Sequence, residues 1–298
     1  MRRGSWTEGA RLAPFTSWRI GGPCRALAEP ATPEELTISR REAERLGWPV
    51  FLLGGGTNLL VADEGYPGLV VRYAARGRSL EVIGDRAIVR AEARMPLAGL
   101  ARETARSGWA GMEWAEGIPG TLAGAAVGNA GAYGGQMADV VVGVEVVLPD
   151  GKLETWPPGK MEYGYRRSAL KGRDPAGPTV VAVQIELERD DPERLAAEIR
   201  RIAGERKSRT PAGASCGSVF RNPPGTSAGR LIDQAGCKGL RKGGAFVSDL
   251  HANYILNEGG ARARDVLDLI DEVRRRVRGA FGISLELEIQ LVGFGESV

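Results

Sequence analysis

The sequence predicts an α+β fold with mixed sheets, and three observations carry that prediction. Strand-forming runs come in pairs joined by short turn signals, GD at 84–85 and DG at 150–151, as antiparallel hairpins do. Helical periodicity is confined to a few well-bounded stretches. After residue 189 the pattern changes: an amphipathic helix in "DPERLAAEIRRIAGERKSR" leads into a new unit.

The first helix falls in "ATPEELTISRREAERLG". Thr32 is placed to cap it, Pro33 takes the first helical position, Glu35 completes a capping box and Gly47 stops it. "PVFLLGGGTNLLVAD" follows as strand, glycine turn and apolar run. "GLVVRY", "SLEVIGDRAIVRAEA" and "DVVVGVEVVLPDGKLETW" are strands and hairpins, and "TVVAVQIELER" is one more strand. Between them "MPLAGLARETARSG" puts Leu97, Leu100, Ala101 and Thr104 on one helical face. Farther on, "SAGRLIDQAG" is a short helix and "GGAFVSDLHANYILNEG" is extended. "ARARDVLDLIDEVRRRVRGAFG" is a helix with Val266, Ile270, Val273 and Val277 as its buried stripe. Its RRR run falls mostly on the opposite face, which reads as solvated surface rather than a nucleic-acid contact. "ISLELEIQLVG" closes the chain as a strand.

Composition narrows the function. The 298 residues leave room for two or three domains, and 43% apolar with 26% charged residues is ordinary for a soluble globular protein. No segment has the uncharged apolar run of a membrane helix. "MRRGSWTEGARLAPF" has no apolar stretch after its arginines, so no signal peptide is expected and the cytoplasm is the default location. Cys24, Cys216 and Cys237 are odd in number and lack CxxC spacing, which argues against a disulfide framework or a structural zinc. The single histidine, His251, excludes a multi-histidine metal site, argues against a Ser-His-Asp triad, and itself reads as structural. A net charge of +3 implies no strong nucleic-acid field. The 34 Arg against 6 Lys, with only 9 Asn and Gln, fit a thermophile or a GC-rich genome.

The densest signal is "GIPGTLAGAAVGNAGAYGG", residues 117–135, with 7 glycines in 19 positions and no charge. It is too apolar for a linker, and Pro119 with the glycines resists a long helix. Two readings stand: a small-residue helix face packed on a neighbour, or a wall on which something flat lies against backbone. "LLGGGTNLL", residues 52–60, is equally a tight turn or a cradle of free N–H groups for phosphate. It is neither a Rossmann fingerprint nor a P-loop. Two such segments in one chain suggest a long diphosphate-bearing cofactor lying across both. Arg166 in "EYGYRRSALK" is a surface arginine or a carboxylate clamp. Ser218 in "ASCGSVFRNPPGTSAG" is a turn residue or a reactive hydroxyl, although no base is at hand. Glu286 and Glu288 alternate with leucines in "LELEI", so they share one strand face, solvated or functional.

Taken in order, "SWRIGGP", "GGGTNLLV", "GIPGTLAGAAVGNAGAYGG", "YGYRRS", "CGSVFRNP", "SAGRLIDQAGCKG", "GGAFVSDLHANYILN" and "LELEI" resemble the UDP-N-acetylenolpyruvoylglucosamine reductase (MurB) family over roughly residues 16–292. The absence of a long insertion after "YRRS" resembles the shorter of its two forms. The resemblance implies a two-part FAD-binding unit of the vanillyl-alcohol-oxidase type and a C-terminal α+β substrate-binding domain. It divides the chain into FAD-binding subdomains 1–65 and 66–207, with the closing strand 282–298 returning to the latter, and a substrate domain 208–281. It implies noncovalent FAD held by Gly54, Gly55, Gly56, Thr57, Asn58 and Leu59 on one loop. On the other it names Gly117, Ile118, Pro119, Gly120, Thr121, Gly124, Asn129, Gly131 and Ala132. No metal is implied.

The family's catalytic residues map by motif onto Arg166, Ser218 and Glu288. NADPH would reduce FAD, and hydride would pass from flavin N5 to C3 of UDP-N-acetylglucosamine enolpyruvate. Ser218 would protonate C2, with Arg166 and Glu288 stabilising the enolate. Arg206 and Asn222 are candidates to grip the UDP diphosphate. The expected enzyme is a monomer of cell-wall precursor synthesis with no nucleic-acid or membrane partner. Arg209-Thr210-Pro211, where many relatives have Gln before Pro, and Leu287, where Pro is common, depart from the family pattern away from the three catalytic positions. Two rivals stand beside this reading: an oxidase on the same scaffold, which commonly attaches FAD through an N-terminal histidine that this chain lacks, and a non-catalytic nucleotide-sugar binding domain.

Overall fold

In a computed structural model the described residues are 6–172 and 177–295. Their contacts form two compact units. One holds the described residues up to Glu8 with Ala26–Gly55 and Gly68–Arg206; the other holds Gly9–Arg25, Gly56–Pro67 and the residues from Lys207 onward. Where the sequence divides the chain at 65, 207 and 281, contacts thus join 9–25 and 56–67 to the C-terminal part.

The first unit contains the greater part of a four-stranded sheet in the order Thr7–Glu8, Cys24–Ala28, Tyr66–Val71, Val50–Leu52. The last two run parallel, with Phe51 beside Val70. A parallel pair needs a crossover, and the helix Pro33–Arg45 lies between Cys24–Ala28 and Val50–Leu52 in the chain. Thr32 Oγ1 accepts the Glu35 N–H at 3.2 Å. The Glu35 carboxylate accepts from Ala31 N–H at 2.8 Å, one residue ahead of the usual capping-box partner. Leu36 and Ala43 pack with Ala26, Ala28, Leu69 and Val71.

A second sheet of the same unit is antiparallel, in the order Leu153–Trp156, Val141–Val147, Thr179–Arg189, Arg86–Glu92, Arg78–Ile83, with Trp109–Ala110 also on Thr179–Arg189. The expected hairpins around GD and DG are both present. On this sheet sits the helix Leu97–Arg106, whose Leu97, Leu100, Ala101 and Thr104 are all buried, as its period requires. The short helix Leu122–Gly128 packs into the same core through Leu122, Ala125 and Ala126.

In the second unit the helix Ala263–Phe281 buries Val266, Ile270, Val273 and Val277. The helix Ala228–Gln234 and the antiparallel strands Arg241–Lys242, Ala245–Val247 and Ile255–Asn257 complete that core. Here one expectation is corrected. The closing strand spans only Gln290–Val292, and it pairs in parallel with Leu59–Val61 rather than with 66–207. Ahead of it, Arg221 N–H donates to Glu286 O and Glu288 N–H to Val219 O, both at 2.9 Å. Leu285 and Ile289 are buried in the same core as Val219 and Phe220, so apolar alternation holds this segment in the second unit. Among the described residues no helix is long and apolar enough to cross a membrane.

Leu100 is fully buried. Leu100→Ala should cost about 2–5 kcal/mol, read as a fall in the denaturation midpoint.

Candidate active site

Both glycine-rich loops lie against one another through backbone. A Cβ on Gly55 would lie 2.8 Å from Gly120 Cα, and one on Gly54 would lie 3.1 Å from Thr121 Oγ1. Side chains there would drive the loops apart. Gly120 also has φ +119°, a region that favours glycine. The far loop is anchored: Leu97 N–H donates to Gly120 O at 3.1 Å, and Leu122 N–H to Met95 O at 2.8 Å. Thr121 then caps the helix Leu122–Gly128 by accepting Gly124 N–H at 3.2 Å. Residues 117–135 thus hold one short helix, packed into the core through Leu122, Ala125 and Ala126 and set between stretches of accessible backbone. Gly54, Gly55, Gly117, Pro119 and Gly124 are exposed; Ile118, Gly120, Thr121, Gly131 and Ala132 are half-buried.

Four of the expected cofactor residues have contacts within the protein. Gly56 and Leu59 are buried, and Leu59 pairs with Gln290. Asn58 Nδ2 donates to Glu288 O at 3.1 Å. Asn129 is buried and its amide is occupied by protein: Nδ2 donates to Gly164 O at 2.9 Å and Gln136 Oε1 at 3.0 Å, and Oδ1 accepts Ala138 N–H at 3.0 Å.

Arg166, also in the first unit, sits on a tight turn. Gly164 and Arg167 exchange backbone hydrogen bonds at 3.1 and 3.0 Å, leaving Tyr165 and Arg166 as the loop. The Arg166 guanidinium donates to Gly131 O at 2.9 Å and, at the long distance of 3.5 Å, to Asn129 O. It therefore lies at the end of the glycine wall. Beneath it Ser168, which the sequence reading passed over, is buried and donates to Val127 O at 2.6 Å. Its position two residues after Arg166 in "YRRS" was the available signal.

Ser218 and Glu288 belong to the second unit, on adjoining extended segments: Ser218 pairs with Tyr254, and Glu288 N–H bonds the carbonyl of Val219. Buried Asn253 fixes the Ser218 segment. Its Oδ1 accepts Phe220 N–H at 2.9 Å, its Nδ2 donates to Phe220 O at 2.8 Å, and its own carbonyl accepts Val219 N–H at 2.9 Å. Sequence reasoning missed Asn253, because a side chain that bonds distant backbone leaves no periodic mark. Burial pushes the Cys216 thiol well up, with the Glu288 charge adding in the same direction, so this cysteine stays a thiol beside the site. Burial lowers His251, whose Nδ1 accepts Asn253 N–H at 3.3 Å, in keeping with a structural role.

Arg206 and Asn222 are not on one unit. Arg206 packs against Gly117, where a Cβ would lie 2.9 Å from its Nε. Asn222 Oδ1 accepts Ala228 N–H at 3.0 Å at the start of the helix Ala228–Gln234. Among the described residues no group of three or more His, Cys, Asp or Glu side chains could hold a metal.

Comparison with known proteins agrees with this division of labour. An FAD binding domain model matches residues 24–156, which include both glycine loops. A model described as UDP-N-acetylenolpyruvoylglucosamine reductase, C-terminal domain, matches residues 209–292, which include Ser218 and Glu288. Arg166 lies between the two matches. The UDP-N-acetylenolpyruvoylglucosamine reductase of Chloroflexus aggregans is 49% identical over 94% of this chain and 95% of its own. That of Rubrobacter xylanophilus is 44% identical over 95% and 93%. The crystal structure of the Thermus caldophilus enzyme superposes with a TM-score of 0.81 at 38% identity, covering 97% of this chain and 99% of that one. The α+β fold with an FAD-binding unit is therefore as expected. The residues present fit the cofactor, since the two loops offer uncharged backbone with Gly54, Gly55, Gly117 and Gly124 exposed.

Gly55→Ala should lower flavin bound per chain, because the new Cβ meets Gly120. Gly204→Ala, on the helix Pro192–Arg209 with nothing within 4 Å, should keep the parent flavin content. Absorbance of the purified proteins measures both.

Proposed function

The chain belongs to the UDP-N-acetylenolpyruvoylglucosamine reductase family and is an FAD-dependent oxidoreductase, and we propose that it reduces UDP-N-acetylglucosamine enolpyruvate to UDP-N-acetylmuramate in peptidoglycan precursor synthesis. NADPH is the proposed reductant and the cytoplasm the proposed location, with the monomer as working unit. When bound, FAD supplies hydride transfer from NADPH to the vinyl C3 of the substrate. The backbone of Gly54, Gly55, Gly117, Pro119, Gly120 and Thr121 would hold it.

This chain's side chains manage the charge and the proton. Hydride addition at C3 leaves an enolate spread over C2 and the substrate carboxylate. Arg166 would stabilise it, since a planar guanidinium matches a carboxylate edge and needs no reorganisation if already aimed. Ser218 would donate its proton to C2. A hydroxyl is a weak acid, so this step needs a strongly basic enolate and neighbouring positive charge. Glu288 would assist through its place beside the Ser218 segment. One observation carries the assignment: the Glu288 N–H to Val219 O bond sets residues far apart in sequence on adjoining segments.

Ser218→Ala should leave NADPH oxidation by the flavin near the parent rate and slow reoxidation by substrate about 10²–10⁴-fold, the usual worth of a general acid. Stopped-flow absorbance follows each half-reaction alone. Parent-rate reoxidation with correct C2 configuration would make Ser218 only a turn residue. A separate expectation concerns attachment: acid precipitation should release all the flavin, and colour left on the pellet would contradict noncovalent binding.

A further inference from the structure

Arg166 has φ +52°. For a residue with a Cβ this left-handed conformation is unfavourable, and it persists where the surroundings over-determine it. The surroundings here are specific. The helix Leu122–Gly128 ends with carbonyls that have no partner within the helix. Ser168, on the C-terminal side of the turn, donates to one of them, Val127 O, at 2.6 Å, and its Oγ also accepts Leu170 N–H at 3.2 Å. Asn129, itself left-handed at φ +44°, donates back to the turn at Gly164 O at 2.9 Å. The turn is thus tied on both sides of Arg166 to residues 127–129, while the guanidinium reaches Gly131 O at 2.9 Å.

We infer that Ser168 and Asn129 are positioning residues for Arg166, holding its guanidinium at the end of the glycine wall where the substrate carboxylate arrives. The inference rests on the proposed role of Arg166. Both side chains are buried, at 4% and 2% exposure, and spend their hydrogen bonds on protein. They act through the turn and do not touch substrate. A misplacement of about 1 Å at a reacting centre costs on the order of 10² in rate, and that is the size of effect expected.

A double-mutant cycle tests this. In the parent, Ser168→Ala should slow substrate-driven flavin reoxidation at saturating substrate about 10–100-fold. NADPH oxidation, flavin content and substrate affinity should change little. In the Arg166→Ala background the same change should cause almost no further loss, because nothing is left to position. Asn129→Gly, which keeps the left-handed backbone and removes the amide, gives a second route should Ser168→Ala fold poorly. If Arg166→Ala reoxidises at the parent rate, the reading of Arg166 fails and the inference with it. If Arg166→Ala is slow but Ser168→Ala and Asn129→Gly run at the parent rate, the inference alone is overturned. It is overturned equally if the Ser168→Ala loss repeats in full without Arg166, or falls alike on both half-reactions, since both are signs of a merely structural serine.

Discussion

The contact of Gly54 and Gly55 with Gly120 and Thr121 is the constraint on which the rest of the first unit depends. It joins a turn after a parallel strand to the loop ahead of the helix Leu122–Gly128, with Gly55 meeting Gly120 backbone to backbone. That closeness leaves a floor of N–H and C=O groups instead of side chains. It also explains the surrounding hydrogen bonds from Leu97 and Leu122, which hold the second loop from behind. A floor made of backbone must be fixed by its neighbours, because glycine contributes the least resistance of its own.

A common device fixes the segments of Arg166 and Ser218. In each unit a buried asparagine bonds nearby backbone: Asn129 at Gly164 near Arg166, and Asn253 at Phe220 near Ser218. An amide offers both donor and acceptor, so it can stand in for a missing strand. Neither segment belongs to a long strand, so the side chains substitute for sheet pairing. The cost of burying each amide is offset because its bonds are made within the protein.

Much of the fold was legible in the sequence because it is written in local patterns. Thr32 with Glu35, the spacing of Leu97, Leu100, Ala101 and Thr104, and the GD and DG turns each specify structure within a few residues. The glycine-rich stretch was singled out by its composition, which left both a packed helix and an exposed backbone wall open. What escaped depends on partners distant in the chain. The closing strand was expected to return to 66–207, yet Leu285 and Ile289 find their core with Phe220 and the strand finds Leu59–Val61. Alternation reports which face is buried and says nothing about which core receives it. Asn129 shows the same limit at the site: its place in the glycine motif pointed to the cofactor, while its amide is turned to Gly164, Gln136 and Ala138.

The parallel pairing of Gln290–Val292 with Leu59–Val61 bears on how the molecule is made. Synthesis runs from the N-terminus, and domains generally form as their residues emerge from the ribosome. Leu59–Val61 must wait for its partner until Gln290–Val292 has been translated. Asn58 waits too, because it bonds the carbonyl of Glu288. The second unit is assembled from three separate stretches, the last ending near the C-terminus. The nascent polypeptide can therefore complete the sheets of the first unit while the segment that carries Ser218 and Glu288 is still being translated. The pairing of the Ser218 and Glu288 segments thus follows the sheets of the first unit.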